Sequence, residues 1–122
     1  MRSGLHYTRM TGAEIYINAI RFMLRSIRKV LDTAQVDSED ISHVIPHQAN
    51  IRILQSVVEH AGLDRDRLVT NLDRYGNTAS ASILIALSEA LDSGAIQKGD
   101  LILMVGIGAG MTWGSALLQW RS

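Results

Sequence analysis

The 122-residue chain has no cysteine. No disulfide, thiolate metal site or cysteine nucleophile can therefore arise within it. Neither charge is in excess: twelve Lys and Arg balance twelve Asp and Glu, for a formal net charge of zero, which argues against general affinity for nucleic acid. Long hydrophobic runs are also missing. The longest, residues 101–111, is interrupted by glycine and falls well short of the roughly 18 apolar residues of a membrane span. The opening MRSGLHYTRM has no apolar core of a secretory signal, so a soluble, cytoplasmic protein is expected. Proline occurs once, at Pro46.

What is present is an ordinary globular balance, 47% hydrophobic and 20% charged, in a chain the size of one domain or part of one. Apolar residues at Ile15, Ala19, Phe22, Met23, Ile27, Val30 and Leu31 predict a helix over Gly12–Ala34. Its other face carries Arg21, Arg25, Arg28 and Lys29, either as a solvated face or as a docking surface for an acidic partner. Residues 41–45 read as a short buried strand. Asn50 can cap a second helix that Gly62 ends. Residues 68–72 read as another strand, and 79–91 as a mostly buried helix. The glycine-containing apolar run from Leu101 and the segment MTWGSALLQW predict two final strands with a tight connection. Helices alternating with apolar strands argue for an α/β fold with a largely parallel sheet. No internal repeat, linker or low-complexity segment interrupts it.

Three places can carry chemistry, each just past the end of a predicted strand, where open α/β sheets put ligands. The first is His47 in VIPHQAN. A histidine after a proline turn is either a hydrogen-bonded structural residue or a catalyst, and Asn50 is most simply a helix cap. The second is Gly76-Asn77-Thr78. Gly-Asn is common turn chemistry, but small residues follow it, so a ligand could approach the asparagine amide closely. The third is the run 106–110, GIGAG. The dinucleotide fingerprint needs a helix after its glycines, and the alternating TWGSALLQW suits a strand instead. Tightly packed backbone with exposed N–H donors is the better reading. A histidine N–H and an asparagine N–H meeting on one oxygen would stabilise an enolate or oxyanion.

The motifs PHQANIRI, NLDRYGNTASAS and GDLILMVGIGAGMTWGSALLQW, in this order and spacing, resemble the C-terminal portion of β-ketoacyl-[acyl-carrier-protein] synthase III, of the thiolase-like superfamily. The resemblance runs from about Tyr7 to Trp120. It implies the C-terminal half of a thiolase-like α/β fold, with a mixed, mostly parallel sheet of order 3-2-1-4-5 that lacks its first, central strand. The implied activity is acyl transfer: decarboxylating Claisen condensation of acyl-CoA with malonyl-acyl carrier protein, at the start of fatty acid synthesis. His47 and Asn77 would be catalytic, holding the malonyl thioester oxygen. Asn50, Gly108 and Ala109 would lie along the pantetheine and thioester, and Arg52 would dock the carrier protein. Neither a cofactor nor a metal is implied. Partners are acyl carrier protein, acyl-CoA and, in the full-length enzyme, a second copy.

Departures from the family pattern are specific. Gly108-Ala109-Gly110 stands where three glycines are common, so an Ala109 Cβ either enters the pocket or strains the backbone. Ile107 and Met111 replace the usual phenylalanines, and Glu59-His60 occupies an often basic site. The family's cysteine-bearing half would lie upstream. Residues 1–122 are thus expected to be a partial C-terminal domain, inactive alone and unstable or wrongly oligomeric through open sheet edges. The alternatives are a non-catalytic remnant acting as a binding or scaffold subunit, or part of an enzyme for a polyketide starter step.

Overall fold

The computed structural model describes residues 11–122. Tyr7, where the resemblance begins, lies outside them. Helix α1 (Gly12–Ala34) starts at a capping box: Glu14 N–H donates to Thr11 Oγ1 at 3.2 Å, and Thr11 N–H donates to Glu14 Oε2 at 2.8 Å. That backbone bond to Thr11 also lowers the Glu14 pKa. Gln35 ends the helix in the left-handed region, φ 55°. The buried stripe is narrower than the periodicity predicts. Ala19, Met23, Ile27 and Leu31 are buried at successive four-residue steps, while Ile15 is exposed.

Strand β1 (His43–Pro46) follows. Helix α2 (Ile51–His60) begins at Asn50, whose Oδ1 accepts the Arg52 N–H at 2.8 Å. Gly62, with φ 70°, closes the turn after it. The one-turn helix α3 (Leu72–Tyr75) comes next, then α4 (Ser82–Asp92), β2 (Leu101–Gly108) and β3 (Thr112–Gln119). β2 is the centre of the sheet. It pairs parallel with β1, His43 opposite Ile102, and antiparallel with β3, Gly108 opposite Thr112. The sheet is mixed, as expected.

Side-chain alternation along β1 and β2 divides the core into two layers. Val44, Leu103 and Val105 point to α1 and α2, meeting Met23, Ile27, Leu54, Val57 and Val58. Ile45 and Ile102 point the other way, to Ala86 and Ala90 of α4. Each large side chain buried this completely contributes about 1.5–3 kcal/mol. Among the described residues, no helix is long and apolar enough to cross a membrane.

Three expectations need correction. The sheet has no gap at its centre: β1 and β2 are hydrogen-bonded neighbours, so no absent strand lies between them. Residues 68–72 do not form a strand. Leu68 makes one parallel bridge to Val44, and Val69 N–H donates to Val44 O at 2.9 Å. The Gln48 side chain then takes over the role of a neighbouring strand, accepting Asn71 N–H at 3.1 Å and donating to Val69 O at 3.2 Å. Finally, the helix predicted over 79–91 opens with a 3-10 turn, Ala79–Ala81, and is not mostly buried. α4 buries one stripe, Ser82, Ala86 and Ala90, and leaves Leu84 65% exposed. Small side chains bring that stripe close to the sheet, and the described residues put nothing over the opposite side.

Candidate active site

The site lies past the C-terminal ends of β1 and β2. Pro46 ends β1, and His47 continues the ladder by one bond, its N–H donating to Val105 O at 2.8 Å. That bond sets the histidine opposite the glycine-containing end of β2. His47 Nδ1 lies 2.7 Å from Ser82 Oγ, which also accepts the Gln48 N–H at 3.2 Å. The Gln48 side chain is wholly buried and satisfied at both ends, since its amide also donates to Pro46 O at 2.9 Å. The turn carrying the histidine is therefore held by buried hydrogen bonds.

Burial lowers the His47 pKa from its ordinary value, and a hydrogen bond to the Ala79 backbone works in the opposite direction. The net effect favours the neutral imidazole. Across the cavity, Gly76 (φ 65°) turns the chain into Asn77, whose Oδ1 accepts the Ala79 N–H at 2.9 Å. Ala79 is itself left-handed, with φ 53°. With its oxygen engaged locally, the asparagine has its NH₂ available.

His47 and Asn77 line one cavity of about 370 Å³ with Ser82, Ile83 and residues 106–109. A second cavity of about 350 Å³ lies on the other side of His47, against Ile15, Ala19, Ile53 and Met111. His47, Ile107, Gly108 and Ala109 are common to both. The first cavity is bordered by polar groups and the second mainly by apolar side chains. Among the described residues that line them, His47 is the one titratable group.

Of the residues singled out in the sequence, the fold brings His47, Asn77, Gly108 and Ala109 together. Ala109 is not among the residues with positive φ; that conformation falls on Gly110, at 125°. The added Cβ is thus accommodated without the strain considered above, and the Ala109 N–H donates to no acceptor among the described residues. Asn50 and Arg52 lie elsewhere, exposed at the start of α2, and line neither cavity. Glu59 pairs with Arg65, and the Arg21, Arg25, Arg28 and Lys29 face borders a separate groove along α1. No group of His, Asp and Glu among the described residues is arranged to hold a metal.

Sequence reasoning missed Ser82 and Gln48. Ser82 had a readable signal, because it is the polar member of the core-facing stripe with Ala86 and Ala90. Gln48 had none: apart from Pro46, its side-chain partners, Val69 and Asn71, are more than twenty residues away.

Residues 31–120 match the family described as 3-oxoacyl-[acyl-carrier-protein (ACP)] synthase III C terminal. The chain is 47% identical over 117 residues to β-ketoacyl-[acyl-carrier-protein] synthase III of Symbiobacterium thermophilum, covering 96% of this chain and 36% of that protein. It is 49% identical over 114 residues to the enzyme of the same name from Clostridium perfringens strain SM101, covering 93% and 35%. The crystal structure of 3-oxoacyl-[acyl-carrier-protein] synthase III from Aquifex aeolicus superposes with a TM-score of 0.89 at 44% identity, covering 97% of this chain and 38% of that one. The priming β-ketosynthase of the R1128 polyketide pathway superposes at 0.84, with 31% identity, covering 93% and 34%. The chain thus spans little more than a third of the length of these relatives.

Proposed function

The chain belongs to the 3-oxoacyl-[acyl-carrier-protein] synthase III C-terminal family, and from that premise we propose that it supplies the enolate-holding part of a decarboxylating condensation. One observation carries this reading: two uncharged donors border one cavity. Asn77 has its oxygen tied to Ala79 N–H, and burial favours the neutral form of His47.

The malonyl thioester oxygen sits between the His47 N–H and the Asn77 NH₂. Loss of CO₂ breaks the bond from the thioester's α-carbon to its carboxylate, and that electron pair forms an enolate whose oxygen the two donors stabilise. The α-carbon then bonds to the carbonyl carbon of an acyl group held as a thioester on a cysteine. The cysteine sulfur leaves as thiolate. Because this chain has no cysteine, that nucleophile is supplied from outside it, and the chain by itself catalyses no condensation. The Ala109 N–H is a donor for the acyl thioester oxygen.

Gly108 and Ala109 are the thioester-facing residues. Asn50, whose amide oxygen is committed to its helix, offers the NH₂ to the pantetheine arm. Arg52, exposed in the first turn of α2, meets acyl carrier protein. The step as written needs no cofactor or metal. Acyl-CoA is the acyl donor, and the complete enzyme acts as a homodimer in the cytoplasm at the start of fatty acid synthesis. The likeness to a priming β-ketosynthase supports a second setting, a polyketide starter step with the same chemistry.

In a complete synthase containing this segment, His47→Ala should slow malonyl decarboxylation by roughly 10²-fold or more. Acyl transfer from acyl-CoA to the cysteine, measured separately, should fall much less. Equal losses in the two half-reactions would overturn the assignment. A binding or scaffold subunit would make neither half-reaction depend on His47.

A further inference from the structure

We infer that Ser82 is a positioning residue that holds His47 in the tautomer with its proton on Nε2, so that an N–H faces the substrate oxygen. The inference rests on the reading of His47 as a neutral donor, and it begins from the buried hydroxyl. Ser82 is 1% exposed, and its Oγ has two partners among the described residues: His47 Nδ1 at 2.7 Å and Gln48 N–H at 3.2 Å. A buried hydroxyl has to place its proton on an acceptor. The Gln48 N–H can only donate, so among the described residues Nδ1 is the one available acceptor. Nδ1 then carries a lone pair, and the single ring proton of the neutral imidazole belongs on Nε2. The two nitrogens point in different directions around the ring, so Nε2–H is directed away from Ser82.

The neighbouring groups hold this arrangement in place. Gln48, whose N–H occupies one lone pair of Ser82 Oγ, is clamped through its side chain to Pro46 O at 2.9 Å, Val69 O at 3.2 Å and Asn71 N–H at 3.1 Å. Protonating Nδ1 would oppose its N–H to the Ser82 O–H and leave that hydroxyl without an acceptor. The geometry therefore disfavours the imidazolium as well as the other tautomer. Among the described residues, no Asp, Glu, Lys, Arg or Tyr lines either cavity beside His47 to offset this, and the Ala79 backbone bond, which favours the protonated ring, is outweighed by burial.

The first test needs no mutation. In the protein labelled with ¹⁵N-histidine, long-range ¹H–¹⁵N spectra should show His47 protonated on Nε2 and bare on Nδ1 at neutral pH. A proton on Nδ1 overturns the proposal. The second test uses Ser82→Ala in the complete synthase carrying this segment. The tautomers should become mixed, and the decarboxylation kcat should fall about fivefold, the fold-change of one net hydrogen bond, with KM little changed. The acid limb of the decarboxylation pH profile should also move to higher pH, because the imidazolium is no longer opposed. A uniformly reduced rate with an unmoved acid limb means that Ser82 is only structural, and refutes the proposal. These results are separable from the enolate reading, which fails if His47→Ala decarboxylates normally whatever the tautomer spectra show.

Discussion

Two asparagine turns in this chain use the same local bond to different ends. Asn50 Oδ1 accepts the N–H two residues on at 2.8 Å, and Asn77 Oδ1 does the same at 2.9 Å. After Asn50 (φ −155°) the backbone enters a ten-residue helix at the surface. After Asn77 it enters a left-handed Ala79 and a 3-10 turn, with His47 across the cavity. An asparagine side chain closes such a turn wherever the chain allows it. What its free NH₂ then does depends on what stands opposite.

The sharpest way to separate the two turns is to remove each amide in a complete synthase. Asn77→Ala should reduce malonyl decarboxylation by about 10²-fold or more, whereas Asn50→Ala should leave the rate at saturating substrate near wild type. A comparable loss from both would erase the distinction. The double variant His47→Ala/Asn77→Ala tests whether the cavity is one unit. Donors sharing one oxygen are strongly non-additive, so its decarboxylation rate should lie close to that of the worse single variant. Losses that multiply would mean the two residues act on different atoms.

A smaller effect concerns pH. Burial holds the His47 pKa below its usual value, so the folded state binds fewer protons there than the unfolded chain does. Stability from this site is therefore complete above the ordinary histidine pKa of about 6.5 and is lost as pH falls below it toward the folded value. Denaturation followed across that range should show the decline, and His47→Gln should remove part of it. Decarboxylation should likewise persist to lower pH than an unperturbed histidine would allow.

On the Asn50 side, loss of the cap should cost about 1 kcal/mol of stability in Asn50→Ala, and Asn50→Asp should restore it. The smallest effect is expected at Ala79. Glycine removes the left-handed penalty of roughly 1–2 kcal/mol, but its own chain entropy returns much of that. Ala79→Gly should therefore change stability by less than about 1 kcal/mol in a denaturant titration, and a large loss would show that the alanine methyl is needed for packing.

Much of this was legible in residue order because it depends on neighbours. α1 has the bounds its periodicity predicts, Asn50 caps α2, and the terminal hairpin forms around the run 106–110. Motif spacing also identified the residues that meet at the cavity, since His47, Asn77 and Ala109 each follow the end of an element or a turn. Residues 68–72 were misread because an apolar run looks like a strand whether its partner is backbone or, as here, the side chain of Gln48. α4 was misread because apolarity on all sides predicts burial only where there is something to be buried against.

Local sequence thus determined which residues could cap, turn or carry a proton, because those properties depend on side-chain type and a few backbone angles. Tertiary structure decided which of two similar asparagines lines the cavity. It also placed β2 between β1 and β3, and brought Ser82 to His47 from 35 residues away. That last contact rests on the parallel pairing of β1 with β2 and the packing of α4 over Ile45 and Ile102. Such contacts form only when distant segments bury apolar surface together, and no short window of sequence contains both partners.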